Sequence, residues 1–504
     1  MSLGSSLLQG VRAAGPREVL VCGPRRLTGD DVLAMVAGAV SALHARGVRQ
    51  GDPIAVMYGR QPESTVARLV TLALGCPVVK LLPGLPTRVA AETLRALGCS
   101  VLLHEPCRQD DADELLDACH LPIEYRLDAD LFGTPHCGLV EAQGRAPDAL
   151  SSVTFTNGTT GECKPVAYSE RAEAAQLAAA RSMFGPAPWR FQVPPGHFLP
   201  NQMALWTLST GGTAVLLSDS ELGREAEVAV RERVTHMMSG RPFELYALAG
   251  ALATARASGA DQLRLVIYGG APAVAARSAE AIEAIGPMAL QCYGLTEGGF
   301  VSALQPDAHL RPELLSSVGR PVRGVEVRVR DQDGADLPTG EVGELWVRSP
   351  QLMTGYVGDA VRTARALRDG WLRTGDLGRL DAEGYLFLVD RVEERLAPGV
   401  YARPIENVLT GHPAVADAAV FALPDGSGQV PAGVVVRRDG HEVDLEALRA
   451  LVRRELGAPC EPRRLWLVDE LPRTPGGKPD KAGLRSRYRL VEEEAREERT
   501  AAVT

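Results

Sequence analysis

Val153 to Val166 reads VTFTNGTTGECKPV. Its first four residues, Val153-Thr154-Phe155-Thr156, alternate and are β-branched or aromatic, the pattern of the end of a strand. Asn157-Gly158-Thr159-Thr160-Gly161-Glu162-Cys163-Lys164 follows as a turn rich in donors. Gly158 and Gly161 let the backbone curl and expose its N–H groups. The threonine hydroxyls and the Lys164 ammonium add to them, so the turn suits a polyphosphate. It is not a GxxxxGK[ST] loop, because Cys163 stands at the second glycine and Pro165 follows the lysine.

At 504 residues the chain is too long for one ordinary core and predicts two to four structural units. Its net charge of −9 excludes the basic field that nucleic-acid binding needs. The nine cysteines are scattered singly, with no CxxC pair, which argues against structural zinc and a disulfide framework and for a reducing cytoplasm. The opening MSLGSSLLQGVRAAG has no sustained apolar run, so no secretory signal is expected. No uninterrupted apolar stretch is long enough to predict a transmembrane segment.

Residues 1–17 read as a ragged lead-in. Beyond them, helical patterns over Asp30 to Arg46, Glu63 to Leu74 and Arg88 to Leu97 alternate with strands Ile54 to Met57, Val78-Val79 and Val101 to Leu103. That alternation predicts an α/β domain with a largely parallel sheet. Residues 104–148 read as surface strands and loops. From Val325 to Val347 strands alternate about the turn DGADLPTGE, which predicts a β-rich subdomain, and the last hundred residues read as a small α+β domain. The expected division is an N-terminal domain over 18–390, a C-terminal domain over 391–492, and a disordered tail over 493–504.

Four further motifs follow the donor-rich turn in order. Tyr268-Gly269-Gly270-Ala271-Pro272 ends a predicted strand, and its glycines allow a ligand close to the backbone. In Gln291-Cys292-Tyr293-Gly294-Leu295-Thr296-Glu297 an aromatic ring suits a purine face. The hydroxyl and carboxylate that follow it can reach phosphate and a magnesium ion. Thr374-Gly375-Asp376-Leu377 sets a carboxylate just after a glycine turn, able to accept ribose hydroxyls, and Asp390-Arg391 follows. Pro472-Arg473-Thr474-Pro475-Gly476-Gly477-Lys478 places a lysine on a glycine tip.

This order and spacing resemble the adenylate-forming superfamily: acyl- and aryl-CoA synthetases, luciferases and the adenylation domains of peptide synthetases. In place of that family's usual phosphate loop, Asn157 replaces a hydroxyl, Cys163 a proline and Pro165 a glycine. The resemblance spans about residues 18–490 and implies a large N-terminal domain of stacked α/β subdomains with a mobile C-terminal domain. It implies that Thr156, Asn157, Gly158, Thr159, Thr160, Gly161 and Lys164 hold phosphates and that Glu297 holds Mg²⁺. Gly269, Gly270, Ala271, Pro272, Cys292, Tyr293, Gly294, Thr296, Asp376 and Arg391 would bind adenine, ribose and phosphate. Glu393 falls at the interdomain hinge, and Lys478 at the catalytic lysine.

The implied reaction joins a small-molecule carboxylic acid to AMP from ATP, then passes the acyl group to an acceptor. A thiol acceptor is expected first, on CoA or on the phosphopantetheine arm of a separate carrier protein, since the tail has no room for a carrier domain. An amine, giving an amide, is the alternative, and a catalytically degenerate nucleotide-binding scaffold is the alternative of another class. His197, Asn201, Gln202, Tyr268 and Gly294 are the candidate acid pocket. The segment Phe198 to Trp206 has no Asp or Glu for an α-amine, which favours an aryl, heteroaryl or acyl acid.

Overall fold

The computed structural model describes residues 2–133, 140–156, 163–194, 198–257, 262–425, 428–473 and 479–501. Two large sheets form the N-terminal part. The seven-stranded sheet runs, in spatial order, Gly355–Tyr356, Pro165–Ser169, Leu150–Phe155, Val78–Leu81, Ile54–Met57, Val101–His104 and Ile123–Arg126. Its strands from Leu150–Phe155 to Ile123–Arg126 are all parallel, and helices such as Pro62–Ala73 cross between them. A strand covered on both faces is apolar throughout, and Ile54–Met57 is wholly buried.

The nine-stranded sheet carries Arg190–Val193, Thr213–Leu216, His236–Gly240, Leu265–Gly269 and Ala289–Leu295 in its parallel centre. One apolar cluster joins the facing layers of both sheets through residues such as Leu69, Val70, Leu205 and Trp206. A five-stranded antiparallel sheet follows, built on Gly343–Arg348 and the long strand Trp371–Leu380, to which Leu386–Arg391 is paired. The C-terminal part is a three-stranded sheet, Val415–Asp425, Gly428–Arg437 and Leu465–Val468, with helices Ala402–Thr410, Leu445–Leu456 and Lys481–Ala501. The α/β class, the β-rich subdomain and the small α+β domain are therefore as the sequence predicts.

Three segments differ. The expected ragged lead-in is a helix, Leu3–Ala14, capped by the Ser2 hydroxyl and burying Leu3, Leu7, Leu8, Val11 and Ala14. Gly10 is a packing residue: a Cβ there would lie 2.2 Å from the Leu208 carbonyl oxygen. Within 104–148, helix Gln109–Ala118 and strand Ile123–Arg126 add another parallel unit at the sheet edge, where half-exposure admits polar residues. The final helix continues to Ala501, through residues read as a disordered tail.

Candidate active site

The donor-rich turn leaves the carboxyl end of strand Leu150–Phe155. Its neck is closed by two bonds: the Lys164 N–H donates to the Thr156 hydroxyl at 3.1 Å, and the Thr156 N–H to the Lys164 carbonyl at 3.0 Å. Asn157, Gly158, Thr159, Thr160 and Gly161 lie outside the described residues, as do His197 and Lys478. The Lys164 ammonium stands 5.9 Å from the ring centre of Tyr356. The Tyr356 hydroxyl donates to Glu297 Oε1 at 2.8 Å. Strand Gly355–Tyr356 brings the ring there by pairing with Val166 and Ala167, so the phosphate-loop lysine and the expected metal carboxylate share one tyrosine. Burial, with Glu297 adding, pushes the Tyr356 hydroxyl well above the ordinary tyrosine range, so it remains a donor. Sequence reading missed Tyr356, which carries no local signal beyond a preceding glycine.

A second cluster forms where strands Trp371–Leu380 and Leu386–Arg391 set Asp376 opposite Arg391. Asp376 accepts from the Tyr293 hydroxyl at 2.5 Å and pairs with Arg391 Nε at 2.8 Å. Its own N–H donates to the Thr374 hydroxyl at 3.0 Å. Burial and then the Asp376 carboxylate push Tyr293 far above the usual range. Burial opposes the charge on Arg391, but Asp376 and Tyr293 outweigh it and hold the guanidinium protonated. Both carboxylate oxygens of Asp376 are thus oriented, with lone pairs remaining for ribose hydroxyls.

The glycines divide by role. A Cβ on Gly269 would lie 2.1 Å from the Cys292 carbonyl, and one on Gly294 2.4 Å from the Gly299 carbonyl. Those two serve strand pairing, whereas Gly270, at φ +75°, has open space where a side chain would be. Ala271 and Pro272 continue outward from it, and Thr296 is half-buried in the turn before Glu297. Cys292 is buried, its thiol pushed up to about 12, and is chemically quiet. Glu393 lies in the short turn Val392–Glu394 directly after the Arg391 strand.

Of the candidate acid pocket, Asn201 and Gln202 line one cleft with Tyr58, Lys80, Leu82 and Leu205. Tyr268 does not join them. It is buried among helices on the other face of the nine-stranded sheet, its hydroxyl bonded to His309 Nε2 at 2.9 Å and Gln291 Oε1 at 3.2 Å. Side chains alternate along a strand, and Ile267, not Tyr268, faces the cluster holding Tyr58 and Leu205. Gly294 sits exposed at the end of its strand, bound by the strand contact above.

No group of three or more His, Cys, Asp or Glu able to hold a metal occurs among the described residues. Glu297 nevertheless suits Mg²⁺, which takes one or two carboxylates and completes its shell with phosphate and water. Its Oε1 is oriented by Tyr356, and its carboxylate lies only half-buried. Among the described residues no helix is long and apolar enough to cross a membrane.

A phosphate-loop neck, a carboxylate beside it and a tyrosine–aspartate–arginine cluster, on this fold, define an adenylate-forming ligase that activates carboxylic acids. The chain belongs to the AMP-binding enzyme family, whose model matches residues 9–357, and the AMP-binding enzyme C-terminal domain matches 404–478. It is similar to the structure of amide bond synthetase McbA from Marinactinospora thermotolerans, at 39% identity over 96% of this chain and 99% of that one, with a TM-score of 0.88. A medium/long-chain-fatty-acid–CoA ligase of Mycobacterium tuberculosis is 29% identical over 96% of this chain and 90% of its own length. A feruloyl-CoA synthase of an Amycolatopsis species is 29% identical over 96% and 99%.

Proposed function

We propose that the chain is an amide synthetase: it joins an aryl, heteroaryl or acyl acid to AMP and delivers the acyl group to an amine. In the first step a carboxylate oxygen attacks the α-phosphorus of ATP, the bond to pyrophosphate breaks, and the acyl adenylate forms. Asp376, held by Tyr293 and Arg391, receives the ribose; Thr156 and Lys164 close the loop that holds the departing phosphates. Glu297 would hold Mg²⁺, which supplies charge neutralisation at the phosphates when bound. Lys478 balances the charge of carboxylate and α-phosphate, an electrostatic role. In the second step the amine nitrogen bonds to the acyl carbon, AMP leaves, and the ammonium proton passes to water.

The observation that carries the amine is the 39% identity, across nearly both whole chains, to an amide bond synthetase, against 29% for the two CoA-forming relatives named above over a similar span. The residues agree with it. After the hinge, Arg395 and Arg403 are the cations between 392 and 410, few for clamping the 3′-phosphate of CoA. On this proposal the thiol acceptor expected first becomes the alternative. The nine scattered cysteines are compatible with a cytoplasmic enzyme. The deciding experiment forms the adenylate with the best acid, then offers amines, CoA and carrier proteins separately, with products read by mass spectrometry. An amide formed at an enzyme-dependent rate is expected; thioester without amide overturns the proposal.

A further inference from the structure

Glu297 sits at the tip of the hairpin that joins strands Ala289–Leu295 and Gly299–Leu304. Gly298 and Gly299 follow it directly, and Gly299 adopts φ +68°. Such a tip has backbone freedom, and a carboxylate on it is imprecisely placed unless something outside the hairpin fixes it. Residues 349–357 touch the hairpin at three points. The Tyr356 hydroxyl holds the carboxylate, and the Met353 N–H donates to the Glu297 carbonyl at 2.9 Å. The third point is Gln351, which is 1% exposed. Its Nε2 donates to the Phe300 carbonyl at 3.0 Å, and its Oε1 accepts from the Phe300 N–H at 3.2 Å.

The Gln351 amide does for Phe300 what the peptide of a neighbouring strand would do, exchanging both bonds with one residue. The outer neighbour of strand Gly299–Leu304 is Arg320–Pro321, which pairs with Ser302 and Ala303 and stops short of Phe300. The fit is close: a Cβ on Gly299 would lie 2.8 Å from Gln351 Oε1 and 2.9 Å from its Cβ. The Phe300 ring is itself set in the core, its centre 5.6 Å from that of Trp206. Residues 349–357 also bind the strand that leaves the phosphate loop. The Thr354 N–H donates to the Ala167 carbonyl at 2.8 Å, and the Val357 N–H to the Pro165 carbonyl at 2.9 Å. One strap is therefore bonded both to the hairpin tip and to the strand after Lys164. It sets how far the expected metal carboxylate stands from the phosphate loop.

We infer that Gln351 is a positioning residue for adenylation: its amide locks the Glu297 hairpin to this strap and so presents the carboxylate to the metal in one fixed place. This rests on the reading of Glu297 as the Mg²⁺ carboxylate. Gln351 acts through the Phe300 backbone, to which both polar atoms of its amide are turned. Removing it frees the hairpin tip while leaving the carboxylate, the phosphate-loop neck and the Tyr293–Asp376–Arg391 cluster chemically intact. The consequence belongs to the metal-bound nucleotide and not to the nucleotide alone, because the ribose partners lie on other strands.

The test is calorimetric titration with α,β-methylene-ATP, whose bridging carbon blocks cleavage beyond the α-phosphate, once in Mg²⁺ and once in EDTA. The wild-type enzyme is expected to bind it about 10-fold or more tightly with Mg²⁺. Glu297→Gln should remove most of that gain. Gln351→Met, close in size but without either bond, should lower the gain about 10-fold or abolish it, as loss of a group that orients a metal ligand does. Its Kd in EDTA should match the wild type. Should Gln351→Met not fold, Gln351→Glu, which loses the amide donor and keeps the acceptor, carries the same test. A gain kept by the Gln351 variant while Glu297→Gln loses it overturns the inference alone. So does an equal loss of affinity in EDTA, which would make Gln351 a matter of the fold. No gain in the wild type, or a gain kept by Glu297→Gln, overturns the metal reading and this inference with it.

Discussion

Replacing Lys478 with alanine is expected to slow acid-dependent pyrophosphate exchange about 10²- to 10³-fold, the scale of losing one charge partner of a transition state. Capture of a preformed adenylate by the acceptor should be much less affected. Equal losses in both half-reactions would remove Lys478 from the adenylation role. Tyr356 acts through another group: its hydroxyl orients Glu297 at 2.8 Å. Tyr356→Phe should leave the fold intact and raise the Mg²⁺ concentration for half-maximal exchange about 10-fold or more, as removal of a ligand's orienting partner does. A Mg²⁺ titration curve unchanged from the wild type would detach Tyr356 from that carboxylate's function.

Elements meet at distances that admit no extra atom, or only a neutral one. Helix Leu3–Ala14 approaches the end of helix Phe198–Leu208 so closely at Gly10 that an added methyl would strike the Leu208 carbonyl and Ser209 backbone. Gly10→Ala should therefore lower stability by about 1–3 kcal/mol in chemical denaturation, although alanine favours helices. A neutral or stabilising result would mean the helix docks less tightly. Between strand Leu265–Gly269 and the turn Ala308–Leu310, buried His309 accepts from Tyr268, and burial brings it down to about 4. The unfolded chain takes up a proton near pH 6.5 and the folded site does not until about 4. The stability tied to neutral His309 is present above pH 6.5 and lost as pH falls toward 4, on the order of 3 kcal/mol. His309→Gln should flatten the fall in denaturation midpoint between pH 7 and 5; an unaltered slope would assign the acid sensitivity elsewhere.

At the scale of the molecule, two contacts among the described residues reach from the C-terminal part to the N-terminal one. Arg438 stands 3.6 Å from Glu280, and the Arg473 guanidinium lies 4.9 Å from the ring centre of Phe243. Arg473 is also tied to Asp417 of its own domain at 2.6 Å, so it transmits the contact to the C-terminal sheet. Lys481 pairs with Glu406 at 2.9 Å and with Glu394 at 3.4 Å, tying the turn Val392–Glu394 to helix Ala402–Thr410. Phe243→Ala removes the cation–π contact with Arg473, along with a local one to Arg241, and should slow pyrophosphate exchange about 2- to 5-fold. It should leave acceptor capture of a preformed adenylate unchanged. Equal slowing of both steps would make the contact a matter of general stability.

The sequence by itself determined the parallel α/β core, the β-rich subdomain and the small final domain. Runs such as Ile54 to Met57 and helical faces such as Asp30 to Arg46 express backbone periods that a few neighbouring residues set. It also set Asp376 opposite Arg391, since one hairpin holds the two. The tertiary structure alone decided which distant residues complete those motifs. Tyr293 reaches Asp376 across 83 positions and Tyr356 reaches Glu297 across 59. It turned Tyr268 away from the cleft lined by Asn201 and Gln202 and brought Lys80, Arg68 and Glu173 together. Where the Lys80 ammonium finds a carboxylate depends on sheets and helices meeting across the core, which no local period encodes.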